Sequence, residues 1–216
     1  MVFGYSSQKI PIIAYQFGVQ GPEVLVLGGV HGNEPEGVML AHFLVDKYSQ
    51  RFSHRLRLTI IPSFNIDGVL LGKRQNANSV DLNRNLPTND WTKNHSDPKY
   101  FPGFIANSES ENQALVEFIK NHKLKFILSL HSWYPLININ GSCEEEANIL
   151  KKMTGYEIKK DIGYPTPGCL GTYSGLEREI PTITYEVERG LAASHILKTH
   201  CPAIDECLKV TETREK

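Results

Sequence analysis

Net charge is almost absent from this 216-residue chain: 23 Lys and Arg against 24 Asp and Glu leave −1. No overall positive field exists to hold nucleic acid or an anionic membrane, so neither is expected as a partner. Long apolar runs are missing too. The stretches Val24 to Val30 and Phe126 to Leu130 fall far short of the ~18–20 residues that span a bilayer. The first residues, Met1 to Lys9, lack the basic and apolar regions of a secretory leader, and a cytoplasmic location is expected. Only four cysteines are present, Cys143, Cys169, Cys201 and Cys207, with no CxxC pair. That is too few for a disulfide scaffold, so reduced or buried thiols are expected. Ordinary contents of hydrophobic residues (40%), Gly (17) and Pro (12) exclude a disordered or fibrous chain. The length suits one domain over 1–216.

Short β-rich runs alternate with stretches of helical period, which predicts an α/β layer architecture. Glu23 to Val30, Leu56 to Ile61, Phe126 to Leu130 and Thr182 to Val187 are nearly continuous Val, Ile, Leu and Phe. Such runs suit central strands covered on both faces. Pro35 to Tyr48 carries an apolar helical face and opens on a proline, which fits a first helical position. Ser108 to Glu111 and Ser142 to Glu145 have the spacing of capping boxes and predict two more helices. The second should end at Lys151, Lys152 and the C-cap Gly155, and the Glu144 to Glu146 run then reads as helix N-terminal chemistry. Residues 62–107 lack periodicity and predict a long loop system of the kind that carries function. Ser194 to Thr213 should be helical with a break near Pro202.

Chemistry concentrates where the first buried strand ends. Gly28-Gly-Val-His31-Gly-Asn-Glu34-Pro35 sets a His and a Glu three residues apart at a strand-to-helix junction. Open α/β sheets place their ligands there, and glycines at 28, 29 and 32 permit close backbone approach. His131, at the end of Phe126-Ile-Leu-Ser-Leu-His131, supplies a third donor. Two imidazoles and a carboxylate suit Zn2+, and three protein ligands leave a position for water, the arrangement of a catalytic zinc. The last predicted strand delivers Glu186 and Glu188 on one face as two formal general bases. The loop Lys73 to Asn85 offers Arg74 and Arg84 for an oxyanion or a carboxylate. The remaining histidines, His42, His54, His95, His122, His195 and His200, lack partners at ligand spacing and are expected to be surface or packing residues.

His31-Gly-Asn-Glu34, Arg74-x-Asn76, Asp81-Leu-Asn83-Arg84-Asn85, His131 after a strand and Thr184-Tyr-Glu186 together resemble the zinc carboxypeptidase superfamily. Tyr100-Phe-Pro-Gly103 and Tyr164-Pro-Thr-Pro-Gly168-Cys-Leu-Gly171 are similar to its murein peptide amidase branch. That branch cleaves the bond between γ-D-glutamate and meso-diaminopimelate. The resemblance implies a single-domain, three-layer fold, with a central mixed, mostly parallel β-sheet and helices on both faces. It also implies one zinc on His31, Glu34 and His131, and Glu186 as the general base, with Glu188 second. Arg74 would polarise the scissile carbonyl, Asn83 and Arg84 would clamp the free carboxylate, and Tyr164 would line the site with Tyr173 as its rival. The expected partner is a small peptide containing meso-diaminopimelate, cleaved in cell-wall peptide recycling. Its side chain ends in an ammonium and a carboxylate, so paired opposite charges are expected among Glu177, Arg178, Glu188 and Arg189. The alternatives are an aspartoacylase or succinylglutamate desuccinylase type of N-deacylase and a non-catalytic peptide-binding relative. Those deacylases carry an extra C-terminal β domain, whereas the residues after Glu186 here have helical spacing.

Overall fold

Alternation along one buried strand divides the interior in two. In strand β4, Val24 and Val26 face one apolar cluster and Leu25 and Leu27 the other, as the period of two requires. The computed structural model describes residues 1–214. Its chain order is β1 (Val2–Tyr5), β2 (Pro11–Ile13), β3 (Tyr15–Phe17), β4 (Glu23–Gly28), α1 (Pro35–Gln50), β5 (Arg57–Ile61), α2 (Ile66–Leu71), α3 (Ser110–Asn121) and β6 (Leu124–Trp133). It continues through β7 (Leu136–Asn140), α4 (Glu144–Thr154), β8 (Glu157–Lys159), β9 (Thr182–Glu188), α5 (Ala193–His195) and α6 (Cys201–Thr211).

The main sheet has seven strands in the order β3-β5-β4-β6-β9-β7-β8. Its middle four, β5, β4, β6 and β9, run parallel, while β3 and β7 pair antiparallel. These middle four are the continuous apolar runs of the sequence. Helices α1, α4 and α6 cover one face through Leu40, Leu44, Leu150 and Leu208, and α3 covers the other through Leu115 and Ile119. The three-layer α/β arrangement with a mixed, mostly parallel sheet is therefore as expected. No helix among the described residues is long and apolar enough to cross a membrane.

Local signals are met in part. Pro35 sits in the first turn of α1, and α4 ends on Lys151, Lys152 and a left-handed Gly155 at φ 76°. Pro202 has no N–H and would crowd the carbonyl one turn back; a widened π-helical stretch, Ile196–His200, precedes it, followed by α6. The two capping boxes do not form. α3 starts one residue after Glu109 and α4 after Cys143, neither with a side-chain cap. Ser108 instead donates to Glu109 Oε1 and accepts from Asn85, while Glu111 accepts from the Ser7 N–H. At the first box, bonds with Glu109, Asn85 and Ser7 have taken the groups that would have capped. The 62–107 span is mostly irregular, as predicted, but contains the short helix α2, whose Asn65 cap accepts from the Gly68 N–H. All four cysteines are free and buried.

Candidate metal centre and active site

Strand β4 ends at Gly28 and α1 begins at Pro35, so the six residues between them form a turn at the carboxyl edge of the sheet. Glycine is required there at Gly29, which has φ 65°, and at Gly32, where a Cβ would run into the Gly68 backbone of α2. The turn brings His31 Nδ1 to 2.9 Å from Glu34 Oε1. The carboxyl end of strand β6 supplies His131, whose Nδ1 lies 2.9 Å from Glu34 Oε2 and 3.2 Å from His31 Nδ1. All three side chains are buried, and their ligand atoms lie within 4.8 Å of one another.

Two imidazole nitrogens that close face each other lone pair to lone pair unless a proton or a cation lies between them. Their other nitrogens are already engaged. His31 Nε2 meets Asp81 Oδ1 at 3.1 Å, and His131 Nε2 meets Ser129 Oγ at 3.0 Å. Both rings are thereby turned so that Nδ1 faces inward, the arrangement that outer partners impose on metal-binding histidines. Separations of 2.9–3.2 Å are near the edge of about 3.3 Å that a tetrahedral zinc with ~2.0–2.1 Å bonds would impose. The donor set fits zinc. Burial pushes the Glu34 carboxyl up, but the two imidazoles outweigh it and hold the group well below the usual carboxylate range.

Glu186 sits beside His131 in the parallel register of β6 and β9. Its Oε2 is closed off from solvent and has no hydrogen-bond partner. Burial raises its carboxyl to about 7, with His131 pulling down and Glu34 pushing up. A carboxylate poised there can take a proton at neutral pH. Glu188, one pleat further along, is exposed and outside the cavity, which separates the two formal bases.

The cavity over these groups has a volume of about 440 Å³, and Arg74, Asn83, Arg84, Tyr164 and Glu186 all line it with His31 and Glu34. Asp81 organises its cationic side. Fully buried, it accepts from Arg74 Nε at 2.9 Å, holds His31 and receives the Asn83 N–H at 2.9 Å. Burial would raise its carboxyl; His31 and Arg74 instead hold it well below the usual range. Asn83 Oδ1 accepts from the Leu170 N–H, and Arg84 donates to the Asn83 carbonyl. The ring of Tyr100 lies between the two arginines, 5.2 Å from the Arg74 guanidinium carbon and 5.3 Å from that of Arg84. Tyr164 stands at the mouth against Trp133, ring centroids 6.1 Å apart. Tyr173 is fully buried under Arg178 and lines no part of the cavity.

Glu177 and Arg178 pair with each other at 3.3 Å, but away from the cavity, so the expected charge pair does not line it. Of Glu177, Arg178, Glu188 and Arg189, only Arg189 lines the cavity; Glu177 accepts from the Asn89 N–H and Arg178 covers Tyr173. Asn76, part of the Arg74-x-Asn76 pattern, faces away and binds Glu109. His54 is also more than packing, since it bridges Asp205 and Glu212. The sequence does not disclose the parts played by Asp81 and Tyr100, nor that Asn138 and Asn140 line the cavity. For Asp81 a signal existed: a carboxylate in a motif beside a ligating histidine is a common outer partner.

The sequence profile of the zinc carboxypeptidases matches residues 2–191. The chain belongs to the zinc carboxypeptidase family. As a member of this family it is a zinc-dependent hydrolase, and the donor set described above is suited to that ion. It is similar to murein peptide amidase A of Vibrio campbellii, 32% identical over 199 residues that cover 86% of this chain and 77% of that protein. The corresponding Escherichia coli protein is 29% identical over 185 residues, covering 79% and 74%. Among solved structures, the fold superposes on murein-tripeptide amidase MpaA of Escherichia coli O157 with a TM-score of 0.82 at 23% identity, covering 97% of this chain and 91% of that one. It superposes on the carboxypeptidase A of Helicoverpa armigera with a TM-score of 0.81 at 18% identity, covering 98% and 66%.

Proposed function

We propose that this chain is a zinc-dependent amidase that hydrolyses the γ-D-glutamyl–meso-diaminopimelate bond of small murein peptides, in one catalytic domain acting on recycled wall fragments in the cytoplasm. The observation that carries the reading is the convergence of two inward-facing Nδ1 atoms and a carboxylate beside an unpartnered Glu186, in a cavity walled by Arg74 and Arg84. Likeness to murein peptide amidases over most of the chain supplies the substrate class.

In this reading His31, Glu34 and His131 hold the zinc. When bound, the ion polarises a carbonyl and acidifies coordinated water. Glu186 removes a proton from the attacking water and later returns one to the departing amine. Its buried, raised carboxyl suits both tasks. Arg74, fixed through Asp81, faces the developing oxyanion. Arg84 and Asn83 grip the main carboxylate of a terminal diaminopimelate, which a planar guanidinium does in two places. Tyr164 closes over the mouth. The enzyme thus binds its substrate as a carboxypeptidase would, with an amide to a γ-carboxyl in place of an ordinary peptide bond.

The test is incubation of the purified protein with L-Ala-γ-D-Glu-meso-diaminopimelate and, separately, with N-acetylaspartate, each with and without a chelator. Release of diaminopimelate that stops with the chelator and returns with zinc is expected. Zinc-dependent release of aspartate alone would overturn the reading.

A further inference from the structure

The far end of the cavity contains no charge pair, and what stands there is specific. Thr184 precedes Glu186 by two residues on β9, and Asn138 of β7 is its antiparallel partner; Asn140 lies one further step along, opposite Thr182. By strand rise these positions lie about 7 and 13 Å from Glu186 along the sheet. Asn138, Asn140 and Thr184, joined by Thr166, line the cavity. The acidic groups lining it are Glu34 and Glu186, both already assigned to the metal and the base.

The two amides are held in place with capacity unused. Asn138 spends one Nδ2 hydrogen on the Lys159 carbonyl at 3.0 Å, which leaves its Oδ1 to accept. Asn140 makes no side-chain hydrogen bond among the described residues, yet it is closely packed. A Cβ on Gly171 would run into Asn140 Oδ1, and one on Gly175 would lie 2.6 Å from Asn140 Cβ. Both glycines belong to the π-helical turn Gly171–Leu176, so that turn can press its backbone against the amide.

This floor suits neither simple kind of side chain. An apolar side chain would cover the Asn140 amide, the free Oδ1 of Asn138 and the Thr184 hydroxyl without giving them partners, at a cost for each group taken from water. A lone cation finds no unassigned carboxylate there, and the cations lining the cavity are engaged elsewhere, Arg74, Arg84 and Lys99 on the Tyr100 ring and Arg189 on the Ser132 carbonyl. A head group with an ammonium and a carboxylate together is neutral overall, and amides match it, since each offers a carbonyl acceptor and an NH2 donor. We infer that Asn138 and Asn140, with Thr184 and Thr166, form a charge-neutral subsite that selects a leaving residue whose side chain ends in an amino-acid zwitterion. This inference rests on the reading under Proposed function and adds how that site chooses its leaving group.

Three peptides test it: L-Ala-γ-D-Glu joined to meso-diaminopimelate, to L-lysine, which lacks only the distal carboxylate, and to L-α-aminopimelate, which lacks only the distal ammonium. The zinc-loaded enzyme should favour the first over each of the others by about 10²-fold in kcat/KM. Asn140→Asp, nearly isosteric, should reverse the order in favour of lysine, because its carboxylate repels the distal carboxylate and pairs with the ammonium. Should circular dichroism show that Asn140→Asp does not fold, Asn138→Asp carries the same prediction. Equal kcat/KM for the three peptides, or an Asp variant with unchanged preference, would overturn the inference and leave the amidase reading standing. Release of no amino acid from any peptide in the presence of zinc would overturn the amidase reading and the inference with it.

Discussion

Two histidines in this molecule each sit between two carboxylates, and only one of them is part of a site. His31 has Glu34 and Asp81; His54 has Glu212 at 2.7 Å and Asp205 at 2.9 Å. At His54 the two acids take opposite ring nitrogens, and Asp205 also receives Lys47 and Tyr48. Both ring nitrogens have partners, so the cluster fastens the end of α1 and the following loop to α6. At His31 only Nε2 is committed to an acid outside the site. Nδ1 faces Glu34 and a second imidazole, and a cavity opens over them. Composition around a histidine is therefore a poor guide to metal binding. Convergence of donor atoms that lack a closed set of partners is the better one.

The largest effect that sharpens this contrast is expected from Glu186→Gln. Turnover should fall by about 10²–10⁴-fold while the zinc content, measured by mass spectrometry, stays at that of the parent. If the Glu188→Gln variant shows the large loss and Glu186→Gln does not, the base has been misassigned. Next is Asp81→Asn, which leaves His31 without its fixed outer partner; zinc affinity by competitive chelation should weaken by about 10–100-fold. His54→Gln should leave zinc affinity and kcat/KM as they are and lower stability in urea titration by about 1–3 kcal/mol, through the loss of its bonds to Asp205 and Glu212.

The pH responses of the two regions should also differ. Burial lowers the His54 pKa, but Asp205 and Glu212 outweigh it and raise the value above the usual 6.5. The stabilisation is thus complete below about pH 6.5 and is lost as pH rises through the raised value. Asp205 is shifted the opposite way: its burial is outweighed by His54 and Lys47, which hold it well below the usual range. Its contribution is present above about pH 4 and is lost in stronger acid. His54→Gln should therefore cost more stability at pH 6 than at pH 9. Glu186 is shifted upward like His54 and opposite to Asp205, but here it is burial penalising the charged form that does it. With burial raising its carboxyl to about 7, the zinc-free fold should lose stability as pH rises from the ordinary carboxylate value to about 7. Zinc-free Glu186→Gln should consequently melt higher than the zinc-free parent at pH 8, by a few degrees. Equal melting temperatures would show that Glu186 is not strained by its burial.

What the sequence discloses follows the same division between composition and convergence. The four middle strands are legible because burial on both faces demands continuous apolar residues. β1, β2, β3 and β8 are three or four residues long and carry too little pattern to detect. β7 has a clean alternation in Leu136-Ile-Asn-Ile-Asn140, a signal weaker than the long runs around it. The first serine capping box is a local signal overridden by the tertiary partners of Ser108 and Glu111. At the site, His31, Glu34, His131 and Glu186 are legible because strand ends are where such donors gather. The neutral floor of Asn138 and Asn140 is not, because it depends on the register of β7 against β9. The expected charge pair failed for the same reason: residues near Glu186 in sequence, such as Glu177 and Arg178, leave the cavity once the chain turns away from the sheet.

The claim at the centre of this account is that His31, Glu34 and His131 hold one ion together and that the chemically similar His54 cluster holds none. Native mass spectrometry of zinc-loaded protein tests it directly. One zinc per chain is predicted for the parent and for His54→Gln, and none for His131→Ala. Zinc retained by His131→Ala, or lost from His54→Gln, would contradict it.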